Sequence, residues 1–327
     1  MSRVLAAIPA IPGRDRSRVG QRQPPGLAAA GLATKGDEVE EWADLHFFRP
    51  IGARIARGLA HTRVTADQVT LVSLIVGLGA GHFFVYANPW LNCLGFVLFI
   101  VSDVFDSADG QLARFRGTST QFGRALDGIS DGLRFVNLGG HLIVRLALTA
   151  GWSWPAAAAF IVVAAVSQSA QNSAIDFVRH AYLAVAVGRG SELRIDGSND
   201  APGSSRLQRL ALGIYRTYTR QQLRMFPRTA ALLRVQADQG LPPGAIAVYR
   251  TRIAPVVRRC AWLGQNLRFV VLGVTAIAGW PAGLAWCTIG PMNVVLVWLL
   301  RAQERGAKRT LLVAKTARHV PPRERSA

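Results

Sequence analysis

Residues 106–131 read DSADGQLARFRGTSTQFGRALDGISD, and they lie between two apolar stretches of the chain. Four aspartates stand here in two pairs, Asp106 with Asp109 and Asp127 with Asp131, which are three and four residues apart. On α-helices both spacings place the two side chains of a pair on one face. The stretch therefore predicts two adjacent helices that bring four carboxylates together.

The apolar stretches around this window are typical of a membrane protein. The chain has 327 residues, half of them hydrophobic, and a helix needs about 20 residues to cross a bilayer. The predicted spans are 68–87, 90–102, 133–149, 155–175 and two within 269–300, which a turn at 279–283 divides. We therefore expect an all-α integral membrane protein with six transmembrane helices.

The formal net charge of +19 is distributed in a way that predicts the orientation of these spans. The links near 87–90, 150–154 and 279–284 contain no Lys or Arg, whereas the other links and both termini are rich in Arg. The positive-inside rule then places both termini, residues 180–267 and the aspartate window in the cytoplasm, as in a bacterial inner membrane. A nucleic-acid partner is disfavoured, because the arginines flank apolar spans and are not interleaved with aromatic residues.

The rest of the chain divides by composition. Residues 1–37 are basic and aperiodic, which predicts a disordered tail, and residues 38–62 form an amphipathic stretch suited to the membrane surface. Residues 38–185 then comprise this interfacial helix and spans 1–4. Residues 186–264 predict a cytoplasmic helical insert, with a loop at 188–205 and no dense core pattern of its own. Residues 265–303 hold spans 5 and 6, and residues 304–327 are a basic tail.

The four aspartates need a reason to share one window, because ionisable groups at membrane depth are costly and usually functional. Bound divalent cations would offset the repulsion between them. Oxygen ligands favour Mg²⁺, Mn²⁺ or Ca²⁺ over zinc, and the window has no His or Cys. Four carboxylates can hold two ions about 4 Å apart, an arrangement that suits phosphoryl chemistry.

An EF-hand and a purely structural ion network account for the acids less well. An EF-hand would put Phe105 and Ser107 at ligand positions and Arg116 in place of the final Glu. A structural network of the acids with Arg114, Arg124 and Arg134 would leave the glycines of the window without a role.

The window resembles the signature of the CDP-alcohol phosphotransferases, DxxDGxxARx8GxxxDxxxD. All eight fixed positions of that signature are filled, by Asp106, Asp109, Gly110, Ala113, Arg114, Gly123, Asp127 and Asp131. The six predicted spans and the preceding amphipathic helix are also similar to that family. The resemblance covers roughly residues 42–182 and 265–302.

The resemblance implies roles for these residues. Asp106, Asp109 and Asp127 would ligate two Mg²⁺ or Mn²⁺ ions, and Asp131 would complete the site and act as general base. The nucleotide-binding part of the signature would be Gly110, Ala113, Arg114 and Gly123, with Gly110 giving the cytidine nucleotide access to the backbone, Arg114 binding its pyrophosphate and Gly123 allowing tight helix packing.

The family's entry to the first span often reads VTPNxxT, whereas residues 64–70 read VTADQVT here. Thr70 is carried over from that motif, although Ala66 and Asp67 depart from it. The resemblance also implies a homodimer.

The expected reaction is transfer of a phosphatidyl or related group from a CDP-linked donor, such as CDP-diacylglycerol, to an acceptor hydroxyl, with release of CMP. Two alternatives remain open. One is transfer of a CDP-linked head group to a lipid such as diacylglycerol or ceramide, or to inositol phosphate. The other is a metal-binding membrane transporter, although transporters usually place acids near the midplane on broken helices.

Several polar residues outside the signature are candidates for acceptor contacts. Each also has a structural interpretation, either a hydrogen bond between helices or contact with lipid headgroups. They are Gln168, Gln171, Asn172, Asp176, Arg179 and Arg268. Asp103 lies three residues before Asp106 and could support the site, whereas His82 and His141 are expected to pack within the bundle.

Overall fold

The computed structural model of the protein describes residues 39–118, 121–188 and 218–319, and within 121–129 it describes only the backbone. The predicted tail 1–37 and nearly all of the predicted loop 188–205 lie outside these residues. The described part is helical and contains no strand. Its longer helices are α1 Arg49–Ala60, α2 Ala66–His82, α3 Pro89–Phe115, α4 Gln121–Thr149, α5 Trp154–Tyr182, α6 Pro227–Gln239, α7 Pro243–Arg259, α8 Gln265–Ile277, α9 Gly283–Ile289 and α10 Pro291–His319.

The helix starts follow from local sequence. Thr65 and Gln68 form a capping box at α2, in which the Gln68 N–H donates to the Thr65 hydroxyl at 3.2 Å and the Thr65 N–H donates to the Gln68 side chain at 3.0 Å. At α3 the Asn88 side chain accepts from the Trp90 N–H at 2.9 Å, and Pro89 opens the helix. These caps set where the first two apolar helices begin.

Five helical stretches are long and apolar enough to cross a membrane: Ala66–Val85, Pro89–Phe115, Trp154–Val187, Pro243–Ile277 and Gly283–Arg318. The two stretches after residue 240 are separated by a turn that includes Gly279, at φ +76°, where the sequence predicts one. The predicted third span is α4, which is not among these five stretches because it is less apolar. It carries ionisable residues along its length, among them Arg134, His141 and Arg145.

The helix before the first span, α1, packs on α3 through small residues. Gly52, Ala53 and Ala56 are buried, and a Cβ on Gly52 would lie 2.8 Å from the Ser107 hydroxyl. Within the predicted amphipathic stretch 38–62, Trp42 and Phe47 are exposed. Arg116, just beyond α3, donates to the carbonyls of Leu59 at 2.6 Å and Thr62 at 2.8 Å. It thereby satisfies carbonyls at the C-terminal end of α1.

Much of the predicted insert packs against α10. Tyr249, Ile253 and Val256 of α7 share a buried apolar cluster with Ala307 and Ala314 of α10. The helix α10 runs to His319, so part of the predicted C-terminal tail is helical. The core that the insert sequence lacks on its own is therefore completed by α10.

Glu304 of α10 fixes the start of α6. Its carboxylate accepts from the Arg228 and Thr229 N–H groups at 2.9 Å each, and from the Thr229 hydroxyl at 2.8 Å. We expect Glu304→Ala to destabilise this contact by about 1–2 kcal/mol, as the loss of an N-terminal cap does. The readout is the temperature at which a thiol dye labels the buried Cys260, with Cys93 and Cys287 replaced by Ser.

The matched control is Asp238→Ala, which removes an exposed acid near the other end of α6. It should leave the labelling temperature within about 1 °C, because surface substitutions away from such contacts have small effects. Equal shifts for the two variants would contradict the capping role.

Candidate active site

The signature residues lie on two consecutive helices, α3 and α4, both of which pack against α2. Asp106 and Asp109 stand on the C-terminal half of α3, and Asp127 and Asp131 on the N-terminal half of α4. The side chains of Asp127 and Gly123 lie outside the described residues. The site can therefore be built from Asp106, Asp109 and Asp131.

Asp109 is buried and held by the first apolar helix. Its Oδ2 accepts from the Thr70 hydroxyl of α2 at 2.5 Å, and only 6% of the residue is exposed. Thr70 belongs to a motif that this sequence matches only in part, yet it lies against a signature aspartate. A hydroxyl donor of this kind fixes the rotamer of one carboxylate and leaves its charge in place.

Arg134 of α4, which the sequence analysis named only in the disfavoured ion network, contacts the aspartates of the site. Its Nη2 donates to Oδ1 of Asp106 at 2.9 Å and also to Oδ1 of Asp131, and its Nη1 donates to Oδ1 of Asp103 at 3.2 Å. The residue is only 5% exposed. One guanidinium thus links three carboxylates on α3 and α4.

The surrounding helices are shaped to hold Arg134. A Cβ on Gly77 of α2 would overlap Cδ of Arg134, so a larger residue would displace its stem. Nη1 also donates to the Ser102 hydroxyl at 2.9 Å. Ser102 in turn donates to the Ser73 carbonyl at 2.8 Å, and the Ser73 hydroxyl donates back to the Ser102 carbonyl at 2.9 Å. This pair of hydrogen bonds joins α2 to α3 beneath the guanidinium.

A cavity of about 430 Å³ opens beside Asp106 and Asp131. Of the residues predicted from the sequence as acceptor contacts, Asn172, Asp176 and Arg179 of α5 line it. The Asp176 carboxylate accepts from the Tyr218 hydroxyl at 2.5 Å. Burial and the Asp176 charge raise the pKa of Tyr218, which therefore stays a proton donor.

The remaining predicted acceptor residues have different places. Arg268 donates to the Gln171 side chain at 2.7 Å and to the Leu263 carbonyl at 2.9 Å, and the side chains of Arg268 and Gln171 are buried between helices. Gln168 is not among the residues that line the cavity. The structure therefore favours the interhelical interpretation for Gln171 and Arg268.

The segment before α1 also contributes to the cavity lining, through Glu41 and Asp44. The Glu41 carboxylate pairs with Arg179 at 3.1 Å and accepts from the Asn266 amide at 2.8 Å. The same amide donates to Asp44 at 3.1 Å. Burial raises the pKa of the Glu41 carboxyl above its usual value, and the charge of Arg179 opposes that shift. A Cβ on Gly264 would overlap the Glu41 carboxylate, so this glycine is needed for the contact.

Gly110 differs from the packing glycines of this site. A Cβ there would meet only Arg114 Nη1, at 3.5 Å, among the described residues. Packing against the described residues therefore does not account for this glycine, and the approach of a ligand is the reason proposed for it. Arg114 is exposed on the same side of α3, and Ala113 precedes it.

The residues present fit a hard divalent cation by their chemistry. Asp103, Asp106 and Asp131 offer carboxylate oxygens against the single charge of Arg134, and Asp109 adds another acid nearby. Among the side chains that the structure describes, no group of three His, Cys, Asp or Glu residues is arranged to hold a metal ion. Asp127, the remaining signature acid, is outside that set.

Comparison with known proteins bears on these residues directly. Residues 63–216 match the family model of the CDP-alcohol phosphatidyltransferases. The match to this CDP-alcohol phosphatidyltransferase domain spans α2 to α5 and so includes every signature residue. It confirms, for this part of the chain, the resemblance drawn from the aspartate window. Together with the apolar helices, it indicates an integral membrane protein that contains a domain similar to the CDP-alcohol phosphatidyltransferases.

An uncharacterized protein of Aquifex aeolicus (strain VF5) is 38% identical to this chain over 82 residues. That alignment covers 24% of this chain and 40% of the Aquifex protein. The chain thus spans about two-fifths of the length of that relative. The similarity adds a related stretch of sequence but no activity.

Proposed function

We propose that the protein transfers a phosphatidyl or related phospho-alcohol group from a CDP-linked donor, CDP-diacylglycerol first, to an acceptor hydroxyl. The observation that carries the proposal is the complete signature within the matched domain, with Asp106 and Asp131 on one cavity and Asp109 held by Thr70. The acceptor oxygen would form a bond to the phosphorus that bears the lipid. The bond from that phosphorus to CMP would break, and CMP would leave.

The signature residues would have separate roles in this reaction. Asp131 is 43% exposed and borders the cavity, so it can take the proton of an acceptor hydroxyl. Gly110 and Arg114 would receive the nucleotide and its pyrophosphate. Asp106, Asp109 and Asp127 would hold Mg²⁺ or Mn²⁺, which when bound neutralises phosphate charge. The resemblance implies two such ions.

We also propose that α4 crosses the membrane, as the third of six transmembrane helices. Arg134 and Arg145 of this helix are buried, so its cations point into the bundle. Arg145 donates to the Phe84 carbonyl at 3.3 Å and to the Asn92 side chain at 3.2 Å. Val136 and Leu148 are exposed, as residues that face lipid would be.

The chain would then lie in a bacterial inner membrane, with the active site and both termini in the cytoplasm. The segment before α1 would lie on the membrane surface, and the enzyme would be a homodimer.

The head-group alternative differs in which substrate carries the lipid, the CDP-linked donor or the acceptor. A head-group transferase would use the same signature but need a lipid acceptor such as diacylglycerol or ceramide. The transporter alternative is disfavoured by the observed helices, because α3 and α4 are continuous through the aspartates. Broken helices at the ion site are what a transporter would require.

The deciding assay is CMP release by the purified full chain in detergent, with Mn²⁺, CDP-diacylglycerol and pooled acceptors: inositol, inositol phosphate, glycerol phosphate and serine. We expect CMP release that EDTA lowers at least about a hundredfold and that added Mn²⁺ restores, because the acids alone would repel a pyrophosphate. CMP release that survives EDTA would contradict the metal-dependent reaction. If no pool supports release, CDP-linked head groups with diacylglycerol test the alternative.

A further inference from the structure

Residues 218–226 of the insert pack along α5, the helix that carries three lining residues of the cavity beside the aspartates. The Gln222 side chain donates to the Ser173 carbonyl at 3.2 Å, and the ring of Phe226 stacks on that of Phe177 with centroids 4.8 Å apart. Both Gln222 and Phe226 are buried. These contacts fix this segment of the insert against the helix on the acceptor side of the cavity.

The end of this segment is also anchored on a second helix. The helix α6 begins at Pro227, directly after the segment, and Glu304 of α10 accepts hydrogen bonds from the first N–H groups of α6. The segment is therefore held by both α5 and α10. Its side chains have a defined position relative to the cavity.

Tyr218 is the residue of this segment that contacts the cavity lining. Its hydroxyl donates to Oδ2 of Asp176 at 2.5 Å, and Asp176 lines the cavity. Among the described residues, none donates a hydrogen bond to the other oxygen of this carboxylate, Oδ1. A carboxylate accepts hydrogen bonds through both of its oxygens, so Oδ1 retains its capacity for a bound molecule.

The effect of the Tyr218 hydroxyl is to restrain this carboxylate. The segment is already docked on α5 by Gln222 and Phe226, which need no acid for their contacts. A hydrogen bond from the phenol to Oδ2 adds a fixed orientation for the Asp176 side chain. A side chain that is ordered before a ligand binds costs less free energy to order on binding.

Asp176 and Asp131 line the same cavity of about 430 Å³. Asp131 is the proposed acceptor of the proton from the attacking hydroxyl. A small acceptor that carries a second O–H or N–H group can contact Asp176 at the same time. A restrained Asp176 would therefore contribute to acceptor affinity, while the reacting group remains at Asp131.

We propose that the insert completes the acceptor side of the active site. Tyr218 is a positioning residue that holds Oδ2 of Asp176, so that Oδ1 accepts a hydrogen bond from a second donor group of the acceptor, a hydroxyl or an ammonium. The inference rests on the proposed function, because it takes this cavity as the acceptor site. Residues 218–226 lie beyond the matched range 63–216, so the family match does not include this contact.

The first test measures acceptor binding without turnover. Saturation-transfer NMR follows inositol and, separately, serine with the purified full chain, Mn²⁺ and CMP, in the absence of any donor. We expect at least one of them to bind, and Tyr218→Phe to raise its Kd at least about fivefold. Tighter binding of inositol assigns a hydroxyl to Asp176, and tighter binding of serine assigns an ammonium. If neither compound binds to the unchanged protein, the inference is overturned.

The matched control is Tyr249→Phe, which removes another buried tyrosine hydroxyl from the insert. That hydroxyl accepts from the Gln303 side chain at 2.9 Å, and Tyr249 is not among the lining residues of the cavity. Its replacement should leave the Kd within about twofold. An equal loss of affinity in both variants would indicate a general effect on the packing of the insert and would overturn the role of Tyr218.

A measurement on the unchanged protein covers the case in which Tyr218→Phe does not fold. Saturating acceptor should slow amide hydrogen exchange in residues 218–226 at least about threefold, because a bound acceptor stabilises the closed contact. Residues 243–259, which form α7 away from the cavity, should exchange at the same rate. Acceptor binding without any change in residues 218–226 would contradict the inference.

Turnover separates this inference from the proposed function. In the CMP-release assay, Tyr218→Phe should raise KM for the acceptor at least about fivefold, with kcat and the donor KM changed less than about twofold. An unchanged acceptor KM would overturn the role of Tyr218 and leave the transferase proposal intact. Acceptor binding that depends on Tyr218 without any CMP release would contradict the proposed reaction and support the acceptor site.

Discussion

Asp131→Asn is expected to lower CMP release by about 10²–10⁴-fold, the range that general acid–base groups contribute. The amide keeps the size of the side chain but cannot accept the proton of the attacking hydroxyl. Asp131 borders the cavity and is the most exposed of the aspartates that contact Arg134. The measurement is the initial rate of CMP formation at saturating donor and Mn²⁺.

Asp131→Asn should lower the rate of CMP release without preventing the protein from folding. In Asp131→Asn, Arg134 still has Asp103 and Asp106 as partners, so both ion pairs between α3 and α4 are kept. The control is Asp67→Asn, which neutralises an exposed aspartate in the first turn of α2, away from the cavity. An unchanged rate in a folded Asp131→Asn protein would show that another group takes the proton.

The placement of the four aspartates on two neighbouring helices follows from the sequence alone. Helical periodicity gives the shared face of each pair, and apolar stretches on both sides make α3 and α4 consecutive helices. The turn near Gly279 and the helix breaks at Pro227 and around Pro242 were also predictable, because Gly and Pro have strong local preferences.

The contacts of Arg134 with the aspartates could not be predicted from the sequence in the same way. An arginine three residues after an aspartate on a helix usually makes an exposed local pair. The contacts with Asp103 and Asp106 depend on how α2 places α4 relative to α3, and the burial depends on Gly77 of α2. Gly77 was a sequence signal for a close contact at this point of α2. Only the structure shows that the contact is with the Arg134 side chain.

The acidic wall of the cavity was missed for a similar reason. Glu41 and Asp44 precede α1 and are separated in sequence from Asn266 by more than 200 residues. No local pattern connects the two segments. The core of the insert likewise needed α10, which supplies Ala307 and Ala314 from beyond the last apolar stretch.

The cavity predicts which acceptors the enzyme will use. Its lining holds seven acids, Glu40, Glu41, Asp44, Asp103, Asp106, Asp131 and Asp176. The two cations among the described lining residues, Arg49 and Arg179, are both in ion pairs, Arg49 with Glu40 at 2.7 Å and Arg179 with Glu41 at 3.1 Å. Arg134 and the proposed metal ions offset the charges of Asp103, Asp106 and Asp131. The other four lining acids still outnumber the two arginines, so an acceptor phosphate would enter a field of its own sign, and neither arginine is in excess to bind it.

We therefore expect inositol or serine to support CMP release at least about tenfold faster than inositol phosphate or glycerol phosphate, a difference of about 1.4 kcal/mol. Like charges about 4 Å apart repel by roughly 4 kcal/mol at a protein surface, before screening. A tenfold preference therefore requires only part of this repulsion. The measurement compares kcat/KM for each acceptor with the donor held saturating.

Asp176→Asn should narrow this preference, because it removes one negative charge from the acceptor side while keeping an oxygen for the Tyr218 hydroxyl. The gain should appear with glycerol phosphate and be much smaller with inositol, which has no charge to be repelled. Equal kcat/KM values for phosphorylated and unphosphorylated acceptors in the unchanged protein would contradict the electrostatic argument. They would also mean that Arg179 leaves Glu41 when an acceptor phosphate binds.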